Sequence, residues 1–226
     1  MLPYAAMALF SFEHACALVA TGAACAAFAA WGRRAGGTRL PRGFAAFLVA
    51  TELVRQVSLI VSGAWEVAWC LPLELCDIGL ATCAVALWTR RQGPFEFAYF
   101  WGLSGTLQAI LTPDLSESFP HEEFVGHFLQ HSGVVAGVAL LAAGYGMRPR
   151  RGAARRVFLW TLGYAVAIGI LDWALQANYF YLRSKPAGGS VLDLFPDWPL
   201  YIPCGAAIAA LLFFLLDLPF RRRRPA

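Results

Sequence analysis

Long apolar segments limit what this chain can fold into. Seven recur along its 226 residues, each of about 17 to 24 residues. A helix rises 1.5 Å per residue, so about 20 residues cross the ~30 Å hydrocarbon core of a bilayer. We therefore predict an all-α polytopic membrane protein, a single seven-transmembrane-helix domain over residues 1–226. The predicted spans are residues 8–31, 44–62, 73–89, 95–112, 124–145, 157–176 and 200–218.

The composition excludes a soluble globular domain. Only 14% of the residues are charged and 59% are hydrophobic, whereas about 25% are charged in a typical soluble domain. The segments are also too long for the strands of a membrane barrel, which need about ten residues each. The first segment lacks a basic leader, so we interpret it as a retained helix and not as a cleaved signal.

Clusters of arginine predict the orientation of the helices. They follow the first, third, fifth and seventh segments, and all lie on one side only if the number of spans is odd. Short basic loops stay in the cytoplasm, so we predict an outer N-terminus and an inner C-terminus. Because each cluster flanks an apolar segment, the expected partners are membrane lipids and not nucleic acid. The expected location is the bacterial cytoplasmic (inner) membrane, crossed several times. The clusters are Arg33, Arg34, Arg39 and Arg42; Arg90 and Arg91; Arg148, Arg150, Arg151, Arg155 and Arg156; and Arg221 to Arg224.

Polar residues of six segments fall at a similar depth, in the outer half of the predicted bundle. Ionisable groups inside a membrane are costly and require a partner or a function. We therefore predict a polar cavity in the outer half of the bundle, reachable from the outer leaflet or from the outside. The residues are His14, Glu52, Arg55, Cys76, Asp77, Gln108, His127, His131, Asp172 and Gln176.

Helical spacing places several of these residues on shared faces. Glu52 and Arg55, three residues apart, are predicted to form a structural ion pair. His127 and His131, four residues apart, could bind one metal ion or act as a general base and its orienting neighbour. A further stripe, consistent with helix packing or with a site, is Ser104, Gln108 and Thr112.

Cys76 is the candidate nucleophile among six cysteines. None of the six forms a CxxC pair, so a zinc knuckle or redox motif is not indicated. Pro72 suits a first helical turn, which would put Cys76 near a helix N-terminus, where the helix dipole favours the thiolate. Cys70 and Cys204 are expected near one membrane face and are candidates for a disulfide.

Several segments within about residues 40–205 form a combination of motifs: Leu71–Cys76, Phe97–Gly102, Gln108–Asp114, His127–His131, Asn178–Leu182, Lys185–Pro186, Leu192–Leu194 and Trp198–Tyr201. Together they resemble the bacterial YwaF-like integral membrane proteins, relatives of the transmembrane protein 164 family. The eukaryotic relatives are regarded as acyltransferases that move fatty acyl chains onto ether lysophospholipids, with a cysteine and a histidine in the site. By motif, Cys76 matches that cysteine and His127 or His131 matches that histidine, while Glu74 stands where bacterial members often have histidine.

Three functions remain open from the sequence. The preferred one is a lipid acyltransferase or lipase without cofactor, in which Cys76 attacks an acyl ester and His127 or His131 moves the proton. The second is a zinc-dependent lipid hydrolase, and the third is a transporter or lipid-binding protein without enzymatic activity. For the first, the catalytic candidates are Cys76, Asp77, His127 and His131, with Gln108 or Asn178 holding the oxyanion. Substrate binding is predicted for Gln108, Asp172, Gln176, Asn178, Tyr179 and Lys185. The zinc ligands would be His14, His127, His131 and Asp77 or Asp172.

Overall fold

Seven α-helices make up most of the chain in the computed structural model, which describes residues 7–186 and 191–221. Two short 3₁₀ turns, Tyr179–Tyr181 and Val191–Leu194, lie in the connection before the last helix. The all-α class and the seven helices agree with the prediction. The helices are α1 (Phe12–Ala35), α2 (Arg39–Val61), α3 (Leu75–Thr89), α4 (Gln92–Trp101, continued through the π-helical turn Gly102–Thr106 into Leu107–Leu111), α5 (Glu122–Ala139, extended by the π-helical turn Leu140–Gly144), α6 (Ala153–Leu175) and α7 (Tyr201–Arg221).

Five of these helices, α1, α2, α5, α6 and α7, are long and apolar enough to cross a membrane, and the shorter α3 is also apolar. Large apolar side chains cover their outer surfaces. On α6 alone, Trp160, Val166, Ile170 and Trp173 are each at least 66% exposed. An apolar surface of this kind is stable in lipid and unfavourable in water. The chain is therefore a multi-pass integral membrane protein.

Helix α5 is the central helix of the bundle. In its apolar stretch 61% of the residues are buried, compared with 17 to 22% in the other four long helices. It contacts α1, α2, α3 and α4. Glycines allow this close approach, because a Cβ atom at Gly133 would lie 2.6 Å from Leu48 and one at Gly137 would lie 2.7 Å from Cys83. Polar side chains on the N-terminal half of α5 are thus held where several helices meet.

The helix ends differ from the predicted ones at the basic clusters. Helix α2 begins at Arg39 and not near residue 44, so Arg39 and Arg42 are helical. Pro41 is compatible with this position because the first turn of a helix needs no backbone N–H there. The guanidinium carbon of Arg42 lies over the ring of Trp88, 5.7 Å from its centroid, which is a cation–π contact.

A buried carboxylate fixes the connection between α5 and α6. Arg150 donates two side-chain hydrogen bonds to Glu96, at 2.8 and 3.0 Å, and one from its backbone N–H at 2.8 Å. Arg156 adds a hydrogen bond of 3.1 Å. A buried charge is tolerated when it is paired in this way, so the basic cluster after α5 is held against α4.

Candidate functional site

A small cavity lies where α3, α4 and α5 meet. Its volume is about 10 Å³, which is room for roughly one water molecule. Three of the four residues predicted to be catalytic line it: Cys76, Asp77 and His131. The complete lining is Cys76, Asp77, Leu80, Thr106, Gln130, His131 and Val134.

The start of α3 positions Cys76. The helix begins at Leu75 with Glu74 as its N-cap, so Cys76 is in the first turn, while Pro72 lies before the helix and not in its first turn as predicted. The carboxylate of Asp77 accepts a hydrogen bond of 3.1 Å from the backbone N–H of Glu74. This contact caps the helix in the manner of a capping box. The carboxylates of Glu74 and Asp77 therefore flank Cys76 at the start of the helix. Their negative charge opposes the stabilisation of a Cys76 thiolate by the helix dipole.

His131 has the geometry of a general base. Its Nδ1 lies 2.8 Å from the carbonyl oxygen of His127, one turn earlier on α5. A carbonyl oxygen can only accept, so Nδ1 carries the proton and Nε2 holds a lone pair. Within residues 7–186 and 191–221 no hydrogen bond reaches Nε2. This nitrogen is available to take a proton from a group in the cavity.

His127 and His14 cap the end of α4. His127 Nε2 lies 3.0 Å from the carbonyl oxygen of Ala109, and His14 Nε2 lies 2.9 Å from that of Ile110. The last carbonyl groups of a helix lack partners within it, so these two imidazoles satisfy them. The ring of His127 also stacks on that of His131, with centroids 4.0 Å apart. The prediction that both rings share one helix face is therefore confirmed. Of the two histidines, however, only His131 lines the cavity.

The ligands proposed for zinc do not come together. Asp172 accepts a hydrogen bond of 2.9 Å from the backbone N–H of Tyr179, at the far end of α6. His14 also accepts a hydrogen bond from Phe10 through Nδ1, at 3.0 Å. Among the described residues, no group of three or more His, Cys, Asp or Glu side chains could hold a metal ion. The geometry does not favour the zinc hypothesis.

An ionic network lies beside the cavity. Arg55 donates to both carboxylate oxygens of Glu52, at 2.8 and 2.9 Å, and its guanidinium lies 3.9 Å from Asp77. Gln130, which lines the cavity, donates a hydrogen bond of 2.8 Å to Glu52, and Gln56 donates another of the same length. The network joins α2, α3 and α5 through Arg55, Asp77 and Gln130.

Sequence reasoning missed Thr106, which lies in the π-helical turn of α4 and lines the cavity. Its side chain is 1% exposed, and its Oγ1 is buried without a hydrogen-bond partner in the described structure. The same turn breaks the predicted stripe, because Ser104 is buried while Gln108 and Thr112 are exposed. A π-helical turn widens the bonding from i→i+4 to i→i+5 and so shifts the helical register after it.

The residues predicted to bind substrate lie away from the cavity lining. Gln108 and Gln176 are exposed at helix ends. Asn178 accepts hydrogen bonds of 2.9 Å from the backbone N–H groups of Arg183 and Ser184. Lys185 donates a hydrogen bond of 2.9 Å to the carbonyl oxygen of Phe195. These contacts organise the connection between α6 and α7.

That connection packs onto the segment before α3. The hydroxyl of Tyr179 donates to the carbonyl oxygen of Val67 at 2.7 Å and accepts from the backbone N–H of Leu71 at 2.9 Å. The backbone N–H of Phe180 donates to Glu74 at 2.9 Å. Tyr179, one of the predicted substrate residues, is thus held against the segment before α3 and does not line the cavity. Cys70 and Cys204, the candidates for a disulfide, are both free thiols.

Comparisons with known proteins give one family and one relative. A profile of the TMEM164 family matches residues 9–217, which include every residue that lines the cavity. An uncharacterized protein of Treponema pallidum (strain Nichols) is 28% identical over 158 residues. The alignment covers 67% of this chain and 62% of the relative, so the chain spans less than two thirds of that protein's length. No solved structure matches the chain significantly.

Proposed function

The chain belongs to the TMEM164 family, and from this we propose that it is a membrane-embedded lipid acyltransferase or lipase, with Cys76 as nucleophile and His131 as general base. One observation carries the proposal. A single cavity, buried among apolar helices, is lined by a thiol, a histidine with an available Nε2 and a hydroxyl without a partner. Acyl transfer requires a nucleophile, a base that is oriented by a third group, and a hydrogen-bond donor to the negative charge that develops on the carbonyl oxygen.

The proposed reaction has two steps. First, Sγ of Cys76 attacks the carbonyl carbon of an acyl ester, and Nε2 of His131 takes the thiol proton. Thr106 donates a hydrogen bond to the developing oxyanion. The ester C–O bond then breaks, the departing oxygen takes the proton from His131, and a thioester remains on Cys76. Second, the hydroxyl of a lysophospholipid, or water in a lipase, attacks this thioester and restores the thiol through His131.

The backbone of His127 orients the base in this proposal, and no carboxylate does so. The carbonyl of His127 holds Nδ1–H of His131, and the ring of His127 is fixed by the end of α4. Asp77 acts as a helix cap and as a neighbour of Arg55. The cavity holds about one water molecule, so an ester carbonyl enters only when neighbouring side chains move apart. The acyl chains themselves can stay in the surrounding lipid.

We also propose the finer topology. All seven helices cross the bacterial cytoplasmic membrane, with the N-terminus outside and the C-terminus inside. The arginine clusters support this orientation. It places Cys76 and His131 in the outer half of the bundle, near the depth of the ester groups of outer-leaflet phospholipids.

The decisive experiment measures acyl transfer and fatty acid release by purified protein in nanodiscs. The donor is a fluorescent phospholipid and the acceptor is a lysophospholipid. We expect Cys76→Ala and His131→Ala to lower the rate at least about 100-fold. With wild type, intact-protein mass spectrometry should detect an acyl adduct that hydroxylamine removes and that Cys76→Ala does not form.

Cys16→Ala is the matched control, because Cys16 is an exposed thiol on α1 far along the chain from the cavity residues. It should keep the wild-type rate and the adduct. His127→Ala is expected to lower the rate less than His131→Ala, since His127 orients His131 and does not itself transfer the proton. Full activity of Cys76→Ala in folded protein would refute the proposal.

A further inference from the structure

A groove lined by aromatic rings opens between the end of α1 and the start of α2. Its volume is about 960 Å³, far larger than the cavity at Cys76. The rings of Phe28 and Phe44 stack with centroids 4.3 Å apart, and Phe47 continues the wall, 5.9 Å from Phe44. Trp31 and Arg39 lie along the same groove. It is thus a large apolar space with a cationic residue on its margin.

The paths of the two helices create this space. Helix α1 packs mainly on α5, whereas α2 packs on α3 and α5. The chain turns between them through Gly36 and Gly37, whose φ angles are 56° and 69°. Such left-handed conformations favour glycine, and of the three residues that connect the helices only Thr38 has a side chain at the groove.

The charge at the groove is positive and uncompensated. Residues 28–47 include four arginines and no acidic residue. The side chain of Arg39 is exposed and makes no hydrogen bond or ion pair in the described part of the chain, while Arg42 lies over Trp88. An apolar groove with a cationic margin complements an amphiphile that has hydrocarbon chains and an anionic head group.

We infer that this groove binds one anionic phospholipid. An acyl chain lies against Phe28, Phe44 and Phe47, and the phosphate lies at Arg39. The site is separate from the proposed catalytic cavity, because Glu52 is 13 residues along α2 from Arg39, a rise of about 20 Å. The bound lipid would fill the space between α1 and α2 and hold their connection at the membrane surface.

Native mass spectrometry of detergent-purified protein tests this inference. The protein is mixed with equal amounts of phosphatidylglycerol and phosphatidylcholine that carry the same acyl chains. Wild type should retain one phosphatidylglycerol in preference to phosphatidylcholine. Arg39→Gln should lower that preference about fivefold, the effect of one arginine near an anionic surface.

A second variant tests the groove itself. Gly43 lines the groove and a Cβ there meets nothing within 4 Å, so Gly43→Phe introduces a ring at the groove with no clash at its Cβ. It should abolish the retained lipid. Gly22→Phe, on the open outer surface of α1, and Arg155→Gln, in another basic cluster, are the matched controls and should behave as wild type.

Two results would overturn the inference: equal retention of the two lipids by wild type, or wild-type retention of phosphatidylglycerol by Gly43→Phe. The outcome is independent of the proposed enzyme activity. Cys76→Ala should keep the bound lipid even though it loses acyl transfer.

Discussion

At the scale of single residues, the buried hydroxyl of Thr106 is the least expected feature of this protein. A buried polar group without a hydrogen bond destabilises a fold by about 1–3 kcal/mol. Thr106 has this defect in the cavity that also contains Cys76 and His131. Such defects persist where a ligand or a reaction intermediate supplies the missing partner.

Thr106→Val should therefore change stability and activity in opposite directions. Valine has nearly the same shape, so the variant loses the unpaired hydroxyl and should unfold at a higher temperature. If Thr106 donates to the oxyanion, kcat should fall about 100- to 1,000-fold. Thermal denaturation and steady-state acyl-transfer kinetics on the same preparation measure both effects.

Thr161→Val is the control for this substitution. The hydroxyl of Thr161 accepts a hydrogen bond of 2.9 Å from the indole of Trp101 and donates one of 2.8 Å to Val157. Its removal should lower the unfolding temperature and leave kcat close to wild type. An unchanged kcat for Thr106→Val would contradict the proposal that Thr106 donates a hydrogen bond to the oxyanion.

Helical spacing was sufficient to predict some side-chain contacts in the candidate site, and it was not sufficient to predict others. Glu52 pairs with Arg55, and the rings of His127 and His131 stack, because residues three or four apart share a helix face. Thr106 could not be found in this way. A π-helical turn changes the register of α4, and nothing in the local sequence Gly102–Thr106 specifies that change.

At the scale of helices, contact between small residues decides how closely α1 approaches α5. A Cβ at Gly32 would lie 2.9 Å from the Cα of Gly144 and 2.7 Å from a methyl group of Leu140. The leucine side chain can move, but the backbone of Gly144 belongs to the π-helical turn that ends α5. The two helices therefore need glycine at this crossing.

Gly32→Ala should separate α1 from α5 and destabilise the protein by about 1–3 kcal/mol, as overpacking does. The expected decrease in the midpoint of thermal denaturation is about 2–4 °C for each kcal/mol. Gly22→Ala is the matched control on the same helix, since a Cβ there meets nothing within 4 Å. It should keep or raise the midpoint. Equal midpoints of thermal denaturation for Gly32→Ala and Gly22→Ala would show that the contact between α1 and α5 tolerates a side chain.

The five long helices were predictable because the thickness of a bilayer imposes the length of an apolar segment that crosses it. The ends were predicted less well, since long arginine side chains allow a helix to continue past the hydrocarbon core. Helix α2 thus starts at Arg39, and α7 continues to Arg221. Helix α1 starts at Phe12 and not near residue 8, because Ser11 accepts a hydrogen bond from the backbone N–H of His14 and caps it.

At the scale of the whole molecule, the number of crossings depends on α3 and α4, which are not among the five long apolar helices. The 15 residues of α3 span about 22 Å, less than the ~30 Å hydrocarbon core of a typical bilayer. The segment before it, which includes Glu66 and Trp69, and the arginines after it, Arg90 and Arg91, lie on opposite sides only if α3 crosses.

Reporter fusions on either side of α3 decide this question in bacterial cells. Alkaline phosphatase is active only outside the cytoplasm. Green fluorescent protein is fluorescent only in the cytoplasm, because it does not fold correctly when the general secretory route exports it. We expect high phosphatase activity for fusions after Trp65 and high fluorescence for fusions after Arg91. A fusion after Arg221 should also be fluorescent, since the basic clusters keep that end inside. If the fusions after Trp65 and Arg91 report the same side, α3 does not cross, and the cavity beside Cys76 would lie at a membrane surface.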